Sequence, residues 1–235
     1  MKLLITTRSD KTVTNWANLT HPLLEAYAKK AGADFLVLDE KYDALDATGG
    51  IGNGIYQFRI FEHYNLHAKY DRILHFDNDM LLTPTCPNLF DLVPYNCIGT
   101  IYEDKGSRQY ARQNCMAVAQ NQFGDVGWRN GYINTGVFLT SACHRDIYQK
   151  INGKYFVDWG TDDVHIAYLI NKYGYDVKEL SYHWNHMTMF SEPWNNNADR
   201  FKSHIIHYAG NGVFNKEQAA NKLEQAKHDF KVLYG

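Results

Sequence analysis

Little in this sequence marks a compartment or a macromolecular partner. Its four cysteines, Cys86, Cys97, Cys115 and Cys143, form no C-x-x-C pair and no zinc-type spacing with histidine. That excludes a disulfide scaffold and reads as reduced thiols of a cytoplasmic protein. There is no excess of one charge: 24 Lys and Arg stand against 26 Asp and Glu. The basic residues are scattered, so no face advertises nucleic acid. No apolar run reaches the roughly 20 residues that span a bilayer, and the first eight residues are too short in apolar side chains for a signal peptide. A transmembrane segment is therefore not expected, while peripheral contact with a membrane stays open. The glycine-rich stretch Gly49-Gly50-Ile51-Gly52-Asn53-Gly54 lacks both the G-x-G-x-x-G spacing and a Walker lysine, so it reads as a mobile rim loop and not as a phosphate cradle. Repeats and low-complexity linkers are absent too, which leaves one domain over residues 1–235.

What is present is a globular α/β pattern. Of 235 residues, 45% are hydrophobic and 21% charged, ample for a single buried core. Aromatic residues reach 14%, and such rings suit stacking on sugar or base faces as well as filling a core. Strands are expected at 2–7, 34–39 and from 72, with helices at 22–31, capped by Thr20 or His21, and at about 55–68. This order predicts a Rossmann-like, right-handed parallel unit. Beyond it, strands are expected at 97–102, 132–140, 177–180 and 204–208, and helices at 162–173, capped by Thr161, and at 216–233. The polar stretch 103–129 takes no clear assignment. The fold class is α/β, with a mostly parallel central sheet flanked by helices. Residues 1–102 and 103–235 are expected to form two halves of this domain, the first more regular than the second.

The densest chemistry lies in Arg72-Ile73-Leu74-His75-Phe76-Asp77-Asn78-Asp79-Met80-Leu81-Leu82. Extended backbone repeats every two residues, so Asp77 and Asp79 point to the same side of a strand end. Carboxylates at a strand end can be plain turn residues. Here they sit between two apolar segments, where leaving both unpaired is costly, and a divalent cation removes that cost. His207 follows Ile205-Ile206 and offers a nitrogen donor; imidazole suits Mn²⁺ better than Mg²⁺ or Ca²⁺. In isolation it would pass as a satisfied core histidine.

Together these motifs resemble the GT-A nucleotide-diphospho-sugar transferases, in particular glycosyltransferase family 8 and its relatives. The resemblance rests on Tyr70-Asp71-Arg72-Ile73-Leu74-His75-Phe76-Asp77-Asn78-Asp79-Met80, on Tyr132-Ile133-Asn134-Thr135-Gly136-Val137-Phe138-Leu139, and on His204-Ile205-Ile206-His207-Tyr208-Ala209-Gly210. These fall in the family's order. The resemblance implies that Asp79 and His207 ligate Mn²⁺ (or Mg²⁺), with Asp77 near metal and ribose. It implies that Thr6, Thr7 and Arg8 hold base and ribose, that Arg59 faces the nucleotide, and that Asn134, Thr135 and Gly136 line the donor-sugar pocket. The family's late glycine corresponds to Gly210. Its diphosphate lysine has Lys216 as the next candidate, although the family's Lys-Pro-Trp is missing. The family's Asp-Gln-Asp is replaced by Trp159-Gly160-Thr161-Asp162-Asp163, which leaves open which aspartate holds the sugar.

The function expected is metal-dependent transfer of a hexose-type sugar from a nucleoside-diphosphate sugar, a UDP-sugar, to a glycan or other hydroxyl acceptor. Negative charge grows on the leaving diphosphate, where a cation helps, and a carboxylate near the acceptor can serve as base or stabiliser. Asp162 and Asp163 are the candidates, against the alternative that they merely favour a helix dipole. The stretch 183–195 is rich in sugar-binding side chain types, and 191–197 is Asn-rich enough to read as a closing loop. Two other functions are carried alongside. A sugar-phosphate nucleotidyltransferase would need a glycine- and basic-rich loop after the first strand, where Thr6-Thr7-Arg8-Ser9-Asp10 stands instead. A non-catalytic sugar-nucleotide-binding module would have no use for an intact metal triad.

Overall fold

The computed structural model describes residues 1–43, 55–210 and 212–235; the glycine-rich stretch at 49–54 lies outside them. Among the described residues, eight strands form two sheets: β1 (Leu3–Arg8), β2 (Asp34–Leu38), β3 (Arg72–Phe76), β4 (Met80–Leu82), β5 (Ile98–Thr100), β6 (Val137–Ser141), β7 (Val177–Glu179) and β8 (Ile205–His207). The main sheet runs β2-β1-β3-β6-β5-β7, and β4 pairs with β8 apart from it. Pairs β1–β2, β1–β3 and β5–β7 are parallel; β6 runs antiparallel to both of its neighbours. The α/β, mostly parallel sheet expected from the sequence is thus present. All five residues of β3 are buried, which explains its unbroken apolar reading.

The helices are α1 (Thr14–Ala31), α2 (Ile55–Phe58), α3 (His63–Leu66), α4 (Gln109–Phe123), α5 (Thr161–Tyr173) and α6 (Lys222–Tyr234). Several boundaries differ from the sequence expectation, each for a physical reason. Helix α1 begins well before Thr20 and runs through Pro22. Proline and the residue four earlier, Asn18, are both exposed, so the carbonyl it strips of a partner faces water. Thr20 is no cap: its hydroxyl donates to the carbonyls of Trp16 and Asn78, each at 3.0 Å. The helix expected at 55–68 tightens to a 3-10 turn at Arg59–Glu62, where Arg59 turns inward to donate to the Ser9 carbonyl (3.0 Å) and Asp43 (2.6 Å). Gly160, not Thr161, is the N-cap of α5; its left-handed φ of 87° and the Tyr132 hydroxyl, 2.3 Å from where a Cβ would sit, both require glycine. Helix α6 starts at Lys222, capped by Asn221 accepting from the Glu224 N–H, so residue 216 falls in a preceding turn.

Helix α4 fills the unassigned stretch. Its buried face is Arg112, Cys115, Met116 and Ala119, a stripe with a cation in it, which hides its amphipathic period. Strand β6 starts later than expected because Asn134, Thr135 and Gly136 leave the ladder; only Ile133 makes an isolated bridge, to Tyr102. Among the described residues no helix is long and apolar enough to cross a membrane.

Candidate active site

The site grows out of the turn between β3 and β4. The Asp77 N–H donates to the Gly136 carbonyl (2.8 Å), tying the turn to the start of β6. The Asn78 side chain accepts from the Thr20 hydroxyl (3.1 Å), and Asp77 and Asp79 flank it in the cleft lining. Strand β4 then pairs antiparallel with β8 in a register that sets Met80 opposite His207. One ligand atom from each of Asp77, Asp79 and His207 lies within 4.8 Å of the others. His207 Nε2 is 3.3 Å from Asp79 Oδ1 and 3.8 Å from Asp77 Oδ2. The donor set of two carboxylates and one imidazole fits a divalent cation of mixed oxygen and nitrogen preference.

Two protein cations already face these carboxylates. Arg8, at the end of β1, grips Asp77 with one nitrogen and Asp162 with another (2.6 Å). Lys222, the first residue of α6, reaches Asp79 at 2.7 Å. Burial alone would raise the Asp77 carboxyl, but Arg8, His75 and His207 outweigh it and hold the group well below the usual carboxylate range. Asp79 is likewise lowered against burial, by His207 and Lys222.

The opposite wall is the start of α5. Asp163 accepts from both the N–H and the hydroxyl of Thr135 at 2.7 Å. Burial, then the proximity of Asp162 and Glu103, pushes the Asp163 carboxyl well above its ordinary value. Glu103, fully buried, is paired with Arg108 (2.8 Å) and Arg112. The cleft between these walls has a volume of about 430 Å³. Its lining includes Arg8, Asp77, Asp79, Asn134, Thr135, Asp162 and Asp163, all singled out from sequence.

Other expected site residues stand elsewhere. Thr6 and Thr7 are fully buried beneath the cleft; the Thr6 hydroxyl lies 2.9 Å from both His63 Nε2 and His75 Nδ1. Arg59 is buried and committed to Asp43 and Ser9. Gly136 lies behind His207, Gly210 is exposed with φ 73°, and Lys216 is exposed in a turn. Lys222, which no motif marked, supplies the lysine of the cleft. Tyr56, Gln57 and Trp16 line it too, without any sequence signal to single them out. In the segment expected to close over the site, Ser107 donates to Glu192 (2.5 Å), Ser191 to the Ala198 carbonyl (2.9 Å) and Asn195 to the Phe190 carbonyl (2.8 Å). The segment is a set of turns outside the cleft lining, with the Asn195 amide spent on its own backbone.

No family model and no curated protein matches this sequence. Solved structures do. The chain is similar to an active-site mutant of LgtC (TM-score 0.65, 17% identity, covering 99% of this chain and 96% of that one). It is also similar to a glycosyltransferase involved in glycosylation of the major capsid of PBCV-1 (0.56, 13%, 97% and 98%). A third is mouse xyloside xylosyltransferase 1 in its apo form (0.52, 13%, 88% and 97%). The chain has the GT-A fold, as the sequence resemblance implied.

Proposed function

We propose that the protein is a metal-dependent glycosyltransferase that moves a hexose-type sugar from a UDP-sugar to a hydroxyl group of a glycan or other acceptor. One observation carries this reading: within a GT-A cleft, Asp77, Asp79 and His207 converge beside two cations, Arg8 and Lys222. Carboxylates and imidazole for a divalent ion, next to fixed positive charge, are what a metal-bound diphosphate requires. Asp77, Asp79 and His207 would hold Mn²⁺, favoured over Mg²⁺ by the imidazole. When bound, such an ion offsets the charge that develops on the departing diphosphate.

The protein's own groups do the rest. Lys222 turns from Asp79 toward phosphate oxygens, while Arg8 keeps Asp77 and Asp162 in place. Asn134, whose side-chain oxygen is taken by the Gly136 N–H (3.0 Å), presents its NH₂ group to a sugar hydroxyl. Asp163, whose carboxyl is pushed well above its ordinary value by burial and then by Asp162 and Glu103, serves as a hydrogen-bonding group toward the sugar. Asp162, paired with Arg8, stabilises positive charge growing at the anomeric carbon.

A nucleotide-sugar panel followed by thermal shift, with Mn²⁺ or with chelator, tests this. The donor is expected to stabilise the protein only with metal, and Asp79→Ala and His207→Ala to abolish that gain. Equal stabilisation in chelator would overturn the metal-centred reading.

A further inference from the structure

Behind the metal-type triad lies a row of buried amides, and one of them, Asn185, was marked by no motif. His207 Nδ1 is 2.8 Å from Asn185 Oδ1, Asn185 Nδ2 is 2.8 Å from Asn134 Oδ1, and Asn134 Oδ1 is 3.0 Å from the Gly136 backbone nitrogen. Asn185 is wholly buried, and His207 and Asn134 nearly so. We propose that Asn185 is a positioning residue, through which the Gly136 N–H locks His207 with its proton on Nδ1 and keeps Nε2 free for a divalent cation.

The argument needs only donors and acceptors. A backbone N–H can donate and cannot accept, so the Asn134 atom facing Gly136 must be oxygen. That oxygen already fills one of the two faces seen by Asn185, which must meet it with NH₂. The remaining end of Asn185 is then oxygen, and it accepts from His207 Nδ1. Whatever approaches Nε2, Nδ1 keeps its hydrogen. Amide and imidazole orientations usually have to be assigned from their surroundings; here one peptide group decides all three.

Glycine at 136 serves the same end. A Cβ there would lie 2.6 Å from His207 Cε1 and 2.8 Å from Asn134 Oδ1, so a side chain would displace both the ring and the amide. The position therefore calls for glycine on grounds of space.

This inference rests on the metal reading above, but its first measurement does not. In histidine-¹⁵N-labelled, metal-free protein held at one pH, the His207 signals are expected to show a slowly exchanging Nδ1–H. Asn185→Leu keeps the volume and removes the acceptor: that signal should be lost, and Mn²⁺-dependent UDP affinity should fall about 10- to 100-fold, the usual range for losing a ligand's outer partner. Asn185→Asp still accepts from Nδ1 and should keep the Nδ1–H signal, with UDP affinity closer to wild type than the leucine variant. A wild-type ring protonated only at Nε2, or a folded leucine variant with unchanged signals and affinity, would overturn the proposal. If wild-type protein shows the Nδ1–H but binds no UDP with Mn²⁺, the functional reading fails and the hydrogen-bond assignment stands.

Discussion

Lys222 and Asp79 meet at 2.7 Å in the resting cleft, with the lysine side chain 32% exposed and its ammonium 5.7 Å from the Trp16 ring centroid. A partly exposed pair of this kind is worth about 1 kcal/mol. A divalent ion alone must displace that ammonium, whereas an ion arriving with a diphosphate gives it a new partner. Lys222→Gln is therefore expected to bind Mn²⁺ alone a few-fold more tightly and UDP at saturating Mn²⁺ at least several-fold more weakly. Calorimetry of the two titrations checks this; a loss of Mn²⁺ affinity in the variant would contradict it. At this scale the sequence is legible where chemistry is local. Asp77 and Asp79 stand two apart after a buried strand, and His207 ends another. Lys222 was not legible, because nothing near it encodes that the start of α6 folds back across the β3–β4 turn. Asn185 was hidden for the same reason, among side chains that suit a sugar site equally well.

Helix α5 shows how one element serves both the site and the core. Its first turn supplies Asp162 and Asp163 to the cleft, while His165, one turn in, faces inward. There the Phe156 N–H donates to Nδ1 (3.1 Å) and Nε2 donates to the Gln149 carbonyl (2.7 Å), so only a neutral ring fits. Burial pulls His165 down to about 4, and it does the same for His67, beneath the sheet, and His186, beside β8. Their folded values lie below the unfolded value of about 6.5. Between those limits the unfolded chain takes up protons that the folded chain refuses. Stability from these rings is thus complete above about pH 6.5 and is lost as pH falls toward about 4. Each ring withdraws on the order of 2 kcal/mol by about pH 5, a large part of a typical domain's stability when summed. Urea midpoints are expected to be level from pH 8 to 7 and to drop steeply between 6.5 and 5. A level profile down to pH 5 would show that the rings accept protons in place. The sequence marked α5 through its apolar period and its acidic first turn, but a histidine's neutrality depends on two partners distant from its own helix.

Across the whole molecule, the β-α-β order of the first hundred residues was legible because each parallel strand reads as an apolar run. The antiparallel insertion of β6 and the separate β4–β8 ladder were not, since an apolar run encodes neither its partner nor its direction and the three-residue β4 and β8 leave no period to read. The ladder has a consequence for how the chain reaches this shape. Among the described residues, β5 pairs only with β6 and β7, and β4 only with β8, so residues 1–102 hold two strands whose partners all lie in 103–235. Expressed alone, the first fragment should fail to fold cooperatively and bind no UDP with Mn²⁺. Mixing it with residues 103–235 should restore both, and a first fragment with native-like amide dispersion would refute this. Such distant pairings carry a large loop-closure entropy and form slowly. During synthesis the paired acids of the β3–β4 turn therefore wait, solvated and mutually repelling, for β8 to emerge. Closure of the β4–β8 ladder then brings a histidine to them, and the triad is complete only with that long-range pairing.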